Sequence, residues 1–255
     1  MSKVQAIALN TFKEAVRDRI LYAILVFAMV MIASTVILAT IGAGGGPKVI
    51  RDLGLGFISM FGTLMAVFIG IGLVHKEIDR RTIYTVISKP IHRGQFILGK
   101  YLGLILTLFV NVAIMTGTLI GIIYLGERLW DFRLAAASGM IFLELMVITG
   151  IAVLFSAFST PALSAIFTLS LFAIGRLLND LRTFGEQYAG PLGRTVIGGL
   201  YYLLPNLGRF NISSEVVHGV PLGEVISGMT ILYGMLYIGA LLSLTAMVFQ
   251  YRDFR

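Results

Sequence analysis

Six long apolar runs, at about residues 20–43, 53–74, 97–125, 134–157, 160–178 and 223–249, divide the chain, and most charged residues fall between them. A helix rising about 1.5 Å per residue needs about 20 residues to cross a hydrocarbon core near 30 Å, so each run is of spanning length. The pattern predicts an all-α integral membrane protein with six transmembrane helices and a single domain over residues 1–255. The fifth run is the weakest, opening on Pro161 and reaching Arg176 near its end, although proline suits a helix's first turn. Between the fourth and fifth runs, "FSAFSTPALSA" breaks the apolar pattern where a tight hairpin is needed.

Two polar-mixed stretches have patterns of their own. Ahead of the first span, Val4, Ile7, Ala8, Phe12 and Val16 recur at helical spacing among Lys3, Asn10, Lys13, Glu14 and Arg17. Residues 1–19 therefore read as an amphipathic helix in the membrane interface, the alternative being a simple lead-in turn. The first apolar run is much longer than a signal peptide's core of about 7–15 residues, so it is expected to stay as an anchor. Within the long segment 179–222, "VIGGLYYLLP" (residues 196–205) is apolar but too short to cross. It would lie at the interface or re-enter as a cap over the pathway, where irregular backbone needs protein or water around it. Pro205 and Asn206 are then gate candidates, or only the end of a short interfacial helix. Gly44–Pro47 reads as a turn.

Composition and charge agree with a membrane location. Hydrophobic residues make up 57% of the chain and charged ones 13%, against about 25% charged in an ordinary soluble domain, too few to cover a water-facing surface. Twelve of the twenty lysines and arginines lie before the first span, after the second, or in the tail: Lys3, Lys13, Arg17, Arg19, Lys76, Arg80, Arg81, Lys89, Arg93, Lys100, Arg252 and Arg255. The loops after the first and third spans carry only Lys48 with Arg51, and Arg128 with Arg133. By the positive-inside bias both termini and residues 75–96 face the cytoplasm, and 179–222 lies outside. Topology and anionic headgroups account for the net charge of +7 without a nucleic-acid partner. With no cysteine, the chain has neither disulfides nor thiolate metal sites.

Candidate chemistry is sparse. "GQFILGKY" (residues 94–101) approaches the spacing of a nucleotide-binding loop, but Gln95, Phe96, Ile97 and Leu98 stand between the glycines and Tyr101 follows Lys100. A phosphate loop needs a preceding strand, small flexible residues and a Ser or Thr after the lysine. The glycines have a simpler use, since Gly99 with Gly103, and Gly117 with Gly121, are GxxxG pairs that let a neighbouring helix approach. His75, His92 and His218 are dispersed, and no GxSxG or HExxH occurs. No catalytic, cofactor-binding or metal site is expected. Inside the spans, Glu144 and Asn111 are each a pathway contact, an interface hydrogen bond, or a polar group satisfied by a neighbouring helix. Arg176 and Asp180, one turn apart, read as a local pair.

The loop after the second span is the most informative stretch. "HKEIDRRTIYTVISKPIHRGQFILGKYLG" leaves the span in a burst of charge, forms an amphipathic turn or two through Ile78, Ile83, Val86 and Ile87, and is stopped by Pro90. Physically it suits a short helix docked on a cytoplasmic partner, or a headgroup-binding loop. In it, Glu77, Thr82, Ser88, Pro90, Arg93, Gly99 and Lys100 match in order the signature region of type-2 ABC transporter permeases, the membrane subunits of ATP-driven exporters. Arg81 departs from the glycine common there. "YYLLPNLGRFN" (residues 201–211) resembles the segment before that family's last span, and the likeness extends over essentially the whole chain. The resemblance implies a type V exporter-like fold in a prokaryotic cytoplasmic membrane. Residues 75–96 would carry a coupling helix on a separate ATPase subunit, two permeases (a second copy or a sibling) pairing with two ATPases that hold ATP and Mg. Glu77 and Asp79 would oppose basic groups of the ATPase, Arg80 and Arg81 would meet acids or headgroups, and Ile83, Tyr84 and Ile87 would be docking anchors. A secondary carrier or channel, and an assembly scaffold, are the alternatives outside that family.

Overall fold

The computed structural model describes residues 2–41, 46–79, 93–128, 130–188 and 190–251. Among these the chain is helical, and six helices are long and apolar enough to cross a membrane. In hydrocarbon every backbone N–H and C=O must find a partner within the protein, which a helix achieves within its own segment.

The first helix, α1 (Lys3–Val16), begins with a capping box. The Gln5 N–H donates to Ser2 Oγ at 3.3 Å and the Ser2 N–H to Gln5 Oε1 at 3.0 Å, satisfying donors that the first turn leaves without intrahelical partners. The spans follow as α2 (Arg19–Ile41), α3 (Gly46–Asp79), α4 (Arg93–Glu127), α5 (Phe132–Ser156) and α6 (Pro161–Tyr188), with a final span described below. α3 starts with Gly46-Pro47 in its first turn, so Lys48 and Arg51 belong to the helix rather than to a loop. It also continues unbroken past its apolar stretch to Asp79. Residues 157–160 make the tight hairpin between α5 and α6, and α6 runs to Tyr188, well beyond the apolar limit near residue 178 read from sequence.

After α6 the chain forms α7 (Pro191–Leu203), a 3-10 turn (Leu207–Phe210), and two short helices, α8 (Ser213–Val217) and α9 (Leu222–Val225), before the last span α10 (Gly228–Tyr251). At 13 residues α7 is too short to cross, and Val196, Tyr202 and Leu203 on it are exposed. Leu207, Phe210, Ile212 and Val216, which follow, are buried in the main core. Most of residues 196–205 thus lie on α7 outside the core, and it is the following residues, 205–212, that turn back into the bundle.

α3 and α5 form the centre, each with 72% of its spanning window buried, whereas α2, α6 and α10 reach only 22%. The peripheral helices display apolar side chains such as Phe27, Ile166 and Leu236 outward, a surface suited to lipid or another protein. At the end of the bundle away from α1, Arg51 joins three helices, meeting Glu127 at 2.6 Å and Asp131 at 3.1 Å.

α1 lies against α4, turning inward the face that the periodicity predicts, with Thr11 and Ala15 its most buried residues. A Cβ on Gly99 would stand 2.8 Å from Ile7 Cβ, and one on Gly103 only 2.5 Å from the Ala8 carbonyl oxygen. This GxxxG pair therefore seats the chain's own first helix. Gly117 and Gly121, by contrast, have open space beside them.

Candidate functional site

Glu144 lies twelve residues from either end of α5, about 18 Å along the axis, and so at the centre of the membrane-spanning bundle. It is completely buried. An ionised carboxylate at that depth is expensive unless paired, about 2.5–3.5 kcal/mol on insertion scales for a charge at mid-helix. Its partner is Arg176 of α6, whose Nε stands 3.3 Å from Oε1 and whose Nη2 donates to Oε2 at 3.5 Å. The same Nη2 donates to Ser59 Oγ of α3 at 3.0 Å, so one guanidinium ties together three helices. The Nε contact is an ion pair without the alignment of a hydrogen bond, leaving Oε1 dependent on charge attraction alone. Arg176 also lies over the Phe172 ring at 5.5 Å. The pair is lopsided: its acid is sealed in protein, while 31% of the arginine side chain is exposed.

A second polar junction sits beside the first. The Asn206 N–H donates to Tyr233 Oη of α10 at 2.9 Å, and its Nδ2 donates to Asn179 Oδ1 of α6 at 2.7 Å. Tyr237 Oη donates to the Leu203 carbonyl at 3.2 Å. A Cβ on Gly175 would meet the Pro205 carbonyl oxygen at 2.7 Å, so only glycine lets the returning segment come this close to α6. The junction clasps α6, residues 203–206 and α10 immediately next to Arg176. Nearer the end of α6, Arg182 lies over the Tyr201 ring at 4.8 Å, and Arg209 Nη2 donates to Tyr201 Oη at 3.1 Å. That hydrogen bond from a guanidinium holds the Tyr201 phenol below its ordinary range.

The sequence-predicted residues fall into three groups. Glu77 and Asp79 occupy the last turn of α3, but their side chains, like that of Arg93 at the start of α4, lie outside the description. Arg80, Arg81, Thr82, Ile83, Tyr84, Ile87, Ser88 and Pro90 all fall outside the described residues. Gly99 and Lys100 are in the first turns of α4, where Lys100 is buried and its Nζ lies 5.2 Å from the Phe96 ring centroid. The stretch that resembles a phosphate loop is thus helix, with its second glycine used for packing.

Among the pathway candidates, Glu144, Pro205 and Asn206 come together around α6. Asn111 does not join them: it is buried, and its Nδ2 donates to the Thr107 carbonyl of its own helix at 2.8 Å. Arg176 pairs with Glu144, correcting the local pairing with Asp180. Ser59, Asn179 and Tyr233 were missed, since nothing in their local sequence distinguishes them. Arg176 had a usable signal, being a cation inside one span when the neighbouring span carried an acid that needed a partner.

Such an arrangement can hold helices in register and present a cation at mid-membrane. Among the described residues no group of three histidine, aspartate or glutamate side chains is placed to hold a metal ion. Among curated proteins none matches the chain in sequence. The sequence profile described as ABC-2 family transporter protein matches residues 5–254. With six spans, a helical first segment laid on the bundle and a profile covering nearly its entire length, the chain belongs to the ABC-2 family of transporter membrane proteins.

Proposed function

We propose that this chain, a permease subunit of an ABC transporter, works in the export direction as one of two permeases driven by two separate ATPase subunits. Family membership replaces the carrier, channel and scaffold alternatives. ATP and Mg reside on the partner, and residues 75–96 form the cytoplasmic lever between motor and membrane. Both termini face the cytoplasm, and the protein sits in the cytoplasmic membrane of a prokaryote.

One observation carries the reading. The 34 residues of α3 form one continuous rod of about 51 Å, some 20 Å longer than a bilayer core. The rod reaches Glu77 and Asp79 past the apolar stretch, and α4, which begins at Arg93, holds α1 with its opening turns. A push on the intervening residues would therefore reach the bundle centre through α3 and the α1–α4 pair together. Closing of the ATPase dimer on ATP supplies that push, alternating the pathway between its two accessible states.

Crosslinking single cysteines at residues 77–88 to the ATPase in the purified complex tests the contact, and no crosslink in any nucleotide state refutes it. Glu77→Lys is expected to leave basal ATP hydrolysis in place and to abolish its coupling to transport. Normal coupling in that variant removes Glu77 from the lever.

A further inference from the structure

Where the chain turns from α1 into α2, an apolar groove of about 150 Å³ opens between the first turns of α2 and the facing side of α3. Its floor is made by Leu21, Met65 and Ile69, all buried, and its rims by Ile20 and Phe68, both exposed. As consecutive spans, α2 and α3 run in opposite directions. The groove therefore passes from Asp18 and Gly72 at one end to Ile24 and Met65 at the other, about 10 Å along either helix. Beyond that second end Phe27 meets Phe61 edge-on, with ring centres 5.5 Å apart, and closes the gap. The first end is open: a Cβ on Gly72 would meet nothing within 4 Å.

Apart from Asp18 the lining is apolar, and an apolar space of this size takes a hydrocarbon group about as large as benzene, so the groove holds a stretch of alkyl chain. Its mouth decides which chain. Gly72 stands close to the end of the apolar stretch of α3 near residue 74, at the depth of the lipid headgroups. Asp18 is bracketed there by Arg17 and Arg19, both exposed. Neighbouring Cα atoms are about 3.8 Å apart, so a headgroup resting over Asp18 is within reach of both guanidinium groups. Over residues 13–19 three cations stand against two acids, Glu14 and Asp18. Asp18 also serves the protein itself, its Oδ1 accepting the Ile20 N–H at 3.0 Å in the first turn of α2. An apolar slot lying along the spans, with arginines at its wet end, is complementary to an alkyl chain that carries a phosphate.

We infer that the groove is a binding site for one anionic phospholipid of the leaflet on the α1 side, with an acyl chain between Ile20 and Phe68 and the phosphate on Arg17 and Arg19. Guanidinium binds phosphate oxygens through paired, charge-assisted N–H donors. The lipid holds α2 off α3 at the end where the α3 rod leaves the membrane, so a movement of the rod has to displace it or carry it along. That leaflet is the cytoplasmic one in the orientation proposed above. The site and its test depend neither on that orientation nor on an ATPase, so a missing ATPase contact and an empty groove are separate failures.

The probe is phosphatidylglycerol with a photoactivatable diazirine in one acyl chain, at low mole fraction in phosphatidylcholine vesicles holding the full-length chain. Labelling is expected to concentrate in residues 20–24 and 65–72 rather than around Ile166 and Leu236, which are also exposed. Unlabelled phosphatidylglycerol should compete, and dioleoylglycerol, which has the tails without the phosphate, should not. Gly72→Leu fills the mouth without a clash and should cut labelling about tenfold by displacing several methylenes. Arg17→Gln combined with Arg19→Gln should lower it by about tenfold or more, the loss of two headgroup contacts. Labelling spread evenly over the peripheral helices would show annular lipid only, and equal competition by dioleoylglycerol a site for tails alone. Capture of residues 80–92 by a photoreactive side chain in place of Phe68 would show that the chain fills its own groove. Each of these results overturns the proposal, as does insensitivity to the double arginine variant, whose surface positions keep the test valid if Gly72→Leu fails to fold.

Discussion

Replacing both members of the mid-membrane ion pair should harm the protein far less than replacing either alone. At 3.3 Å, with an effective dielectric constant of about 20, opposite unit charges attract by about 5 kcal/mol. Because 31% of the Arg176 side chain is exposed, screening removes part of this, leaving an expected coupling of about 2–3 kcal/mol. Glu144→Leu strands a guanidinium at mid-span, and Arg176→Met strands a carboxylate that has no exposure at all. Each should destabilise the chain by about 1.5–2 kcal/mol, less than breaking a fully buried pair costs because the arginine is partly exposed. The double variant fills the same volume with apolar atoms and should fall within about 1 kcal/mol of the parent. Unfolding in mixed SDS and mild detergent, followed by the fluorescence of Trp130, the single tryptophan, supplies the four free energies of the cycle. Hydrogen bonds between membrane helices average about 0.6 kcal/mol in such cycles. A coupling of that size, or single effects that simply add, would refute the electrostatic account of the contact.

Other consequences can be measured separately. Gly103→Leu should lift α1 off α4, because even a Cβ there meets the Ala8 carbonyl at 2.5 Å; faster proteolysis before residue 19 reports the release, and unchanged proteolysis rejects the seat. Arg51→Ala leaves Glu127 and Asp131 facing each other across three helix ends. The expected loss is about 1–2 kcal/mol, more than a single exposed pair gives, and it should shrink as salt rises. In an ultraviolet titration, Tyr201 should ionise earlier than an ordinary tyrosine, and Arg209→Gln should return it upward. Since its folded value is lowered, the linked stability exists only above the unfolded phenol range and disappears as pH falls through the folded one, so stability near neutrality should not change.

Hydropathy located the spans because lipid imposes length and apolarity on each helix separately. It misplaced the start of α3 and the end of α6 for one reason. Lys48, Arg51, Arg182 and Glu186 look like loop residues, yet Arg51 and Arg182 stay helical with carboxylate partners at 2.6 to 3.1 Å. The GxxxG at Gly99 announced a close neighbour, but which helix fills that groove depends on tertiary arrangement. Arg176 and Glu144 are 32 residues apart, and Ser59 is 117 from the arginine. Their meeting depends on the rotation of each helix about its own axis, which apolar content on every side conceals; α5 is apolar nearly all round. The opposite charges were nevertheless visible, and solvation alone argues that two lone ions in adjacent spans should find each other.

The pairing of Glu144 with Arg176 also bears on how the chain is made. Each charge alone penalises insertion by about 2.5–3.5 kcal/mol, and only the residues 157–160 separate α5 from α6. Made one after the other, these two helices avoid that penalty when they pass into lipid as a unit. Joint entry of the hairpin spares both helices that penalty, so the contact that completes the site also favours insertion of the two spans together.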